Sequence, residues 1–387
     1  MNFAASRRSL LLTLPAVLLP VTVSAQETLR VGLLLTYSGS SSLAGQVADN
    51  TVKLFQSMNG LTAGGRKIEF VRRDTTGPNP EVARRLAQEL IVREKVGILI
   101  GPDFTPNVLA VAPLLTEARI PAIQTGSATS GIVGEKSPYY LRTFFSIPQV
   151  VRPMAQWAHR NGVRKPFVVV ADYGPGHDAE ATFVKSFQER GAAVAGVLKI
   201  PPRNPEFSSY LQRIKDASPD AVFVFLPIGE LCVQFLRAYA DSGLKGSPIR
   251  LLGTGDLTDE LYLEAAGDAA LGVVTTGYYS ASHDSAMNRD LVSRYEKAYG
   301  KPTPAVNVWD ALRLVYDGVA AQPAGKFDPN RFIAFARGRQ FESPRGPIAI
   351  SGDNGDIVQN VYMRRVERRD GKLVNVEFET IPPAAQK

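Results

Sequence analysis

Residues 205–226 read PEFSSYLQRIKDASPDAVFVFL. Phe207, Leu211 and Ile214 recur at helical spacing, so they predict an amphipathic helix with one apolar face. Pro219 and its neighbours favour a turn, and the apolar run Ala221–Leu226 has the length and β-rich composition of a buried strand. A helix, a turn and a buried strand in succession are typical of an α/β protein with a parallel sheet.

The same alternation extends along the chain in both directions. Strands are predicted in a first series at Leu29–Leu35, Ile68–Arg73, Val96–Ile100 and Ile120–Gln124, in a second series at Phe167–Ala171, Ala193–Leu198, Ala221–Leu226, Arg250–Thr254 and Gly272–Thr275, and in the tail at Ile348–Ile350, Ile357–Val366 and Val374–Phe378. A chain of 387 residues is long enough for two hydrophobic cores. The two series therefore predict two α/β lobes with parallel central sheets.

The first 25 residues differ in kind from the rest. Arg7 and Arg8 precede an apolar run over Leu10–Val23, and small residues end at Ala25, which predicts a secretory signal over residues 1–25 that is cleaved after Ala25. A membrane anchor is disfavoured because the run is shorter than the roughly 20 apolar residues of a spanning helix and contains prolines. The paired arginines also fit a twin-arginine signal, so the choice between the two export routes stays open.

Composition and spacing argue against several classes of function. Basic residues are scattered, and we interpret the densest group, Arg364-Arg365 with Arg368-Arg369, as a solvated face and not as a nucleic-acid site. The formal charge of +7 becomes +5 once the two signal arginines are removed. Cys232 is the only cysteine, which excludes an internal disulfide.

No pattern typical of catalysis, a metal or a cofactor occurs. The histidines His159, His177 and His283 stand far apart and lack a second ligand at metal-binding spacing. Neither a nucleophile elbow nor a phosphate loop is present, and the turn at residues 253–256, Gly-Thr-Gly-Asp, lacks the third glycine of a dinucleotide fingerprint. We therefore predict no catalytic residue, no metal and no cofactor.

Polar residues gather in the loops after two predicted strands of the first series. Phe104 and Thr105 follow the strand that ends near Ile100, and Ser127, Ala128 and Thr129 follow the strand that ends at Gln124. Thr105 precedes a proline and is expected to begin a helix. Hydroxyls and free N–H groups at a helix start make a carboxylate-binding corner, although the same residues also serve as ordinary caps and turns.

These features resemble the type I periplasmic binding proteins of the leucine/isoleucine/valine-binding branch. Residues 205–222 are similar to the family segment written DFS..L..IK...PD.V, and Gly101-Pro102 with the stretch Ile120–Ile123 is similar to the matching segment of the first lobe. The likeness covers essentially the whole mature chain. It implies a monomeric periplasmic protein that closes around a small carboxylate ligand and serves the membrane permease of an ABC importer.

The resemblance also implies a division of the chain into two Rossmann-like lobes joined by three hinge crossovers. The crossovers match Ser146–Pro148, Thr276–Ser280 and Ile350–Asp353. Residues 27–146 with 281–350 are then expected to form the first lobe, and residues 147–280 with 351–387 the second.

For the ligand site, the resemblance implies that Phe104, Thr105, Ser127, Ala128 and Thr129 hold the ligand carboxylate. Tyr173 matches a tyrosine that closes over the ligand, and Trp309 matches an aromatic residue near the cleft, although ordinary packing is the alternative for both.

Recognition of an amine is less certain. The acidic residue that pairs with the ligand ammonium in the amino-acid binders falls at Gly255, with Asp256 one residue later, and two of their aromatic positions fall at Ala44 and Ile228. A branched-chain or other amino acid and an aromatic or other organic acid without an amine are both open as ligands.

Two further interpretations stay open. An exported α/β enzyme is suggested by His177, which lies near Asp172 and Asp178, and by the turn at residues 253–256. A sensory protein that passes its ligand signal to a receptor has the same sequence features as a transport protein.

Overall fold

The computed structural model of the chain describes Met1 and residues 27–203, 205–301 and 303–386. The expected signal sequence lies outside the described residues except for Met1. In the described part of the chain, none of the helices has the length and apolarity needed to cross a membrane.

Residues 28–142 form a six-stranded sheet and the helices packed on it. Its strands are β1 (Thr28–Leu35), β2 (Thr62–Ala63), β3 (Arg66–Asp74), β4 (Ile98–Ile100), β5 (Ala122–Gln124) and β6 (Tyr140–Arg142), in the order β2-β3-β1-β4-β5-β6. All neighbours are parallel except the short pair β2 and β3. The helices between them are α1 (Ser42–Asn59), α2 (Pro80–Val92) and α3 (Thr105–Ala118).

The next segment forms most of a seven-stranded sheet. It contains the helices α4 (Ile147–Arg160), α5 (Gly174–Gln188), α6 (Phe207–Ala217), α7 (Glu230–Asp241) and α8 (Glu260–Ala266), and the strands β7 (Pro166–Ala171), β8 (Gly196–Ile200), β9 (Ala221–Phe225), β10 (Arg250–Thr254) and β11 (Val274–Gly277). Alternate side chains of β9 enter two different cores, Val224 facing α6 and α7 and Phe223 facing α4 and α5. Burial on both faces explains why this strand has no polar residue.

The chain then returns to the first sheet and finally to the second. Helices α9 (Ala286–Tyr299), α10 (Val306–Ala320) and α11 (Pro329–Ala336) are followed by a three-stranded sheet of β12 (Gln340–Ser343), β13 (Gly346–Ile350) and β14 (Ile357–Gln359). Strands β15 (Val361–Arg369) and β16 (Lys372–Ile381) complete the second sheet, whose order is β16-β15-β11-β10-β9-β7-β8. These two sheets with helices packed on them confirm the predicted α/β fold class.

The chain leaves the six-stranded sheet through residues 143–146 and leaves the seven-stranded sheet through residues 278–285. It returns to the seven-stranded sheet at Asn360, which joins β14 of the three-stranded sheet to β15. The third passage lies later than the predicted Ile350–Asp353, because β14 pairs with β13 and Ile357 is buried in the core of β1, α1 and α10. The predicted single strand over Ile357–Val366 is therefore two strands in different sheets. We propose residues 27–146 with 281–359 as the first lobe, and residues 147–280 with 361–387 as the second.

Candidate functional site

A cleft of about 190 Å³ lies where loops from both large sheets meet. Its first-lobe wall comes from the start of α1, the loops after β4 and β5, and the start of α10. Its second-lobe wall comes from the loops after β7, β9, β10 and β11, together with one side chain of β15. The carboxyl ends of parallel strands therefore surround the cleft, which is where α/β proteins bind ligands.

Thr105 is the centre of a hydroxyl cluster on the first-lobe wall. Its Oγ1 lies 3.0 Å from Ser127 Oγ and 2.9 Å from Thr129 Oγ1. Phe104, Thr105 and Ala128 line the cleft, whereas Ser127 and Thr129 contact Thr105 and do not belong to the lining. Ser127 and Thr129 can thus orient the Thr105 hydroxyl toward a ligand without touching the ligand themselves.

The N-termini of two helices meet beside this cluster. Helix α3 has 14 residues and begins at Thr105, and helix α5 has 15 residues and begins at Gly174 in the other lobe. A Cβ atom added to Gly174 would be only 4.0 Å from Thr105 Cγ2. Because each helix N-terminus carries partial positive charge and free N–H groups, this part of the cleft favours an anion.

Phe104 has an unusual backbone conformation at the start of α3. Its φ angle of 56° lies in the left-handed region, which side chains other than glycine rarely adopt. Such strain persists only where the surrounding structure enforces it, and it concentrates at ligand sites.

Asp103 connects the loops at the first-lobe wall. Its carboxyl accepts hydrogen bonds from the Thr36 N–H at 2.8 Å and from the Thr75 hydroxyl at 3.4 Å. Burial raises the pKa of Asp103 to about 6, while these hydrogen bonds oppose the rise. The carboxyl thus serves to join the loops after β1, β3 and β4.

Aromatic rings form the remaining surface of the cleft. The Tyr173 ring stacks on Phe225 at a centroid distance of 6.3 Å and an interplanar angle of 16°. On another side, Phe144, Phe145 and Tyr278 pack together with centroid distances of 4.3 to 5.4 Å. All five residues line the cleft, so a ligand there contacts ring faces and edges on several sides.

Three carboxyl groups lie on the second-lobe wall. Asp256, in the short turn after β10, and Asp259 and Glu260, at the start of α8, all line the cleft. Burial raises the pKa of Asp256 to about 7, and the Arg364 charge opposes the rise. The pKa of Asp259 is also raised to about 7, by burial and by the neighbouring Glu260 carboxylate. Among the described residues none donates a hydrogen bond to the Asp256 carboxyl, which leaves it available to a ligand.

The interpretation of the arginine cluster at residues 364–369 as a solvated face is wrong for Arg364. Its side chain is only 3% exposed, and it lines the cleft, whereas Arg365 and Arg368 face solvent. Its guanidinium donates to the carbonyl oxygens of Tyr279 and Gly255 and to Thr275 Oγ1, and it lies 4.0 Å from Glu260 Oε1. Neighbouring strand residues point to opposite sides of a sheet, so one arginine of the pair faces inward and the other outward.

Two glycines create the space for this guanidinium. A Cβ atom on Gly255 would be 2.7 Å from Arg364 Nη2, and one on Gly277 would be 2.6 Å from Arg364 Cζ. The side chain of Arg364 is therefore fixed against these two backbones. Its Nη1 and Nη2 atoms donate to protein acceptors, while Nε is buried without a hydrogen-bond partner among the described residues, so the guanidinium acts as a fixed positive charge in the second-lobe wall.

The remaining predicted positions divide between the cleft and the core. Tyr173, Asp256, Ala44 and Ile228 belong to the lining. Trp309 does not, because it packs edge-on against Phe55 at 4.9 Å in the core formed by α1 and α10.

Of the two features that suggested an enzyme, the turn at residues 253–256 contributes Gly255 and Asp256 to the cleft lining, whereas His177 lies elsewhere. His177 Nε2 is 2.7 Å from Asp172 Oδ1, but both side chains are about half exposed and outside the cleft lining. Across the described residues, no group of His, Cys, Asp or Glu side chains is arranged to hold a metal ion.

Several lining residues were not predicted from the sequence. Phe144, Phe145 and Tyr278 lie in the passages between the sheets. Their position at or beside the predicted crossovers was a signal that could have identified them. Asp259, Glu260 and Arg364 had no comparable local signal.

Comparison with known proteins identifies relatives over nearly the whole chain. A family model described as periplasmic binding protein matches residues 28–372. Leu/Ile/Val-binding protein homolog 6 of Brucella melitensis is 39% identical over 359 residues, which are 92% of this chain and 92% of that protein.

Solved structures agree with this assignment. A solute-binding protein of an ABC transporter from Rhodopseudomonas palustris BisB5, in complex with 3,4-dihydroxybenzoic acid, has a TM-score of 0.88 and 42% identity over 92% of this chain and 98% of that one. Another from R. palustris, in complex with 4-hydroxybenzoate, has a TM-score of 0.89 and 41% identity over 92% of this chain and 97% of that one. The chain belongs to the periplasmic binding protein family and is a solute-binding protein of an ABC transporter.

Proposed function

We propose that this protein captures a single-ring aromatic carboxylate that carries a ring hydroxyl, in the periplasm, and delivers it to the permease of an ABC importer. The observation that carries the proposal is the aromatic-walled cleft between the Thr105 hydroxyl cluster on one lobe and, on the other, the Asp256 carboxyl, to which no described residue donates a hydrogen bond. A ligand that contacts both walls stabilises the closed arrangement of the lobes, as transport requires.

The charges favour one orientation of such a ligand. Its carboxylate is expected at the Thr105 cluster, where the N-termini of α3 and α5 supply partial positive charge. The second-lobe wall is a poor place for it, because the Glu260 carboxylate and the ionised forms of Asp256 and Asp259 repel an anion, and Nη1 and Nη2 of Arg364 already donate to protein acceptors. A ring hydroxyl facing Asp256 instead exchanges a hydrogen bond with it in either protonation state.

Size and shape also favour a ring. A cavity of about 150 Å³ is enough for benzene, and this cleft has about 190 Å³. Ala44 and Ile228 line it where bulkier aromatic residues would reduce the space. Relatives at 41–42% identity bind 4-hydroxybenzoate and 3,4-dihydroxybenzoic acid, which supports the same class of ligand here.

An amino acid is the second candidate ligand. The Asp256 carboxyl, which has no hydrogen-bond donor among the described residues, is able to pair with an ammonium group. The relatives named as Leu/Ile/Val-binding homologues support this candidate. The lining residues Ala44 and Ile228 argue against it, because the amino-acid binders that the sequence resembles have aromatic residues at these positions.

Calorimetric titration of the mature protein distinguishes the two candidates. We expect 4-hydroxybenzoate to bind tightly, benzoate to bind more weakly by about 1.5–3 kcal/mol because the hydrogen bond to a charged group is lost, and leucine to give no measurable heat. Tight binding of leucine without binding of either benzoate would overturn the proposal.

Other aspects of the role rest on the family. We propose that the protein is a monomer and is exported to the periplasm, as the family resemblance implies. We also propose that it has no catalytic activity, since the cleft lining has no arrangement of nucleophile and base. A pull-down with solubilised membranes tests the partner: recovery of a permease supports transport, and recovery of a receptor without a permease indicates sensing.

The raised pKa of Asp256 gives a pH-dependent prediction for the ligand-free protein. Folding raises the pKa of the Asp256 carboxyl from 3.8 to about 7, so its contribution to the free energy of unfolding is fully present below pH 3.8. This contribution is lost as the pH rises from 3.8 through about 7. We therefore expect Asp256→Asn to raise the melting temperature relative to the wild type by roughly 2–4 °C more at about pH 8 than at about pH 5. Parallel melting curves across this range would contradict the prediction.

Enlarging Ala44 is expected to block the cleft. Ala44 lies at the start of α1 and lines the cavity, so the added ring of Ala44→Phe occupies space that the ligand needs. We expect the affinity for 4-hydroxybenzoate to fall by about 1–3 kcal/mol, the usual cost of overpacking. Calorimetry measures the loss, and an unchanged melting temperature shows that the fold is retained. Full affinity in this variant would place the ligand elsewhere.

A further inference from the structure

A buried ion pair joins helix α10 to the turn between β12 and β13. Arg345 Nε donates to Asp310 Oδ2 at 2.9 Å, and Arg345 Nη2 lies 2.7 Å from the same oxygen. Both side chains are 1% exposed, and Ser343 Oγ also donates to Asp310 Oδ2 at 2.9 Å. Removing two charges from water is costly, so a pair this deeply buried calls for an explanation beyond stability.

The contacts of Arg345 reach the first two passages between the sheets and the strand that follows the third. Its Nη2 donates to the Thr143 carbonyl oxygen of the first passage at 2.7 Å. Its guanidinium carbon lies 5.0 Å from the ring centroid of Tyr278, the first residue of the second passage. Its carbonyl oxygen accepts a hydrogen bond of 2.6 Å from the hydroxyl of Tyr362, two residues beyond Asn360 of the third. We call Thr143, Tyr278, Asp310, Arg345 and Tyr362 the crossing cluster.

Tyr278 connects this cluster with the ligand cleft. Its ring lines the cleft and packs edge-on against Phe144 at 5.2 Å. Arg345 Nη1 is buried and has no hydrogen-bond partner among the described residues, and the guanidinium lies over the Tyr278 ring. The ring face is electron-rich and attracts a desolvated cation, so Arg345 holds the Tyr278 ring in place through this face.

We propose that Arg345, oriented by Asp310, is a positioning residue that fixes Tyr278 for ligand binding and couples the cleft to the three passages on which lobe closure depends. The inference goes beyond the proposed function, and only its binding test uses the proposed ligand class. It predicts that the pair acts on affinity through the Tyr278 ring and not through overall stability.

The test replaces both charges together, because a single replacement leaves an unpaired buried charge. Apolar residues in place of a buried pair often preserve stability, so Asp310→Leu combined with Arg345→Met is expected to keep the fold. The matched control is Arg313→Gln, which removes a partly exposed ion pair with Asp317 on the same helix. All variants are also made in a Tyr278→Leu background.

We expect the pair replacement to weaken binding of 4-hydroxybenzoate by about tenfold in the wild-type background and by less than about twofold in the Tyr278→Leu background. Hydrogen exchange of the ligand-free protein should become faster at residues 143–145 and 279–280 in the pair variant and stay unchanged in the control. Equal loss of affinity in both backgrounds, or unchanged affinity and exchange, overturns the inference. If the wild type does not bind 4-hydroxybenzoate, the proposed ligand class fails, and the exchange comparison still decides the inference.

Discussion

Replacing Thr105 by valine is expected to weaken binding of 4-hydroxybenzoate by about 1–3 kcal/mol, which is roughly fivefold to 150-fold in affinity. Thr105 Oγ1 is the lining member of the hydroxyl cluster, and Ser127 and Thr129 contact it. The substitution keeps the shape of the side chain and removes only the hydroxyl, so a bound carboxylate loses a donor. Calorimetric titration measures the change.

A threonine on the same helix provides the control. Thr116 Oγ1 bonds to Ala112 O and Ser137 Oγ, outside the cleft lining, so Thr116→Val should leave affinity unchanged. Ser127→Ala should have a smaller effect than Thr105→Val, because Ser127 acts through Thr105. If Thr105→Val bound as tightly as the wild type, the carboxylate would not be at this cluster.

The largest effect on stability is expected for Arg345→Met alone. This change leaves Asp310 charged, buried and without its partner, and breaking such a pair typically costs about 3–5 kcal/mol. Urea denaturation should show this loss in the single variant and recovery of most of it when Asp310→Leu is added. A loss of less than about 1 kcal/mol in the single variant would mean that the pair is not buried as described.

Much of the fold follows from local sequence patterns. Periodicity predicted a helix containing Phe207, Leu211 and Ile214 and a strand over residues 221–226, and the structure has α6 at Phe207–Ala217 and β9 at Ala221–Phe225. A strand such as β9 is recognisable because it is buried on both faces and therefore apolar throughout. Strand ends were less accurate: the strand predicted at Ala193–Leu198 is β8 at Gly196–Ile200.

The third passage shows where local patterns fail. The run Ile357–Val366 is rich in β-forming residues, and nothing in it marks the single residue, Asn360, at which the chain leaves one sheet for another. Ile357 and Val366 are both buried, but in different cores. Which core receives a residue depends on tertiary packing that composition does not encode.

The candidate site also contains some residues that local sequence patterns predict and others that they do not. Thr105 and the serine- and threonine-rich loop after β5 were recognisable because a helix start and strand ends are local features. Arg364 was not, because a pair of arginines is typical of a solvated surface and only the sheet decides which one faces inward. The partners Asp310 and Arg345 are 35 residues apart and share no motif.

The most direct test of the central claim is a crystal structure of the mature protein with 4-hydroxybenzoate. We predict electron density for one ring between Tyr173 and Tyr278, with a carboxylate oxygen within hydrogen-bonding distance of Thr105 Oγ1 and the ring hydroxyl facing Asp256. A carboxylate bound at Arg364, or a cleft that takes up leucine with its ammonium group on Asp256 and excludes the aromatic acid, would contradict it.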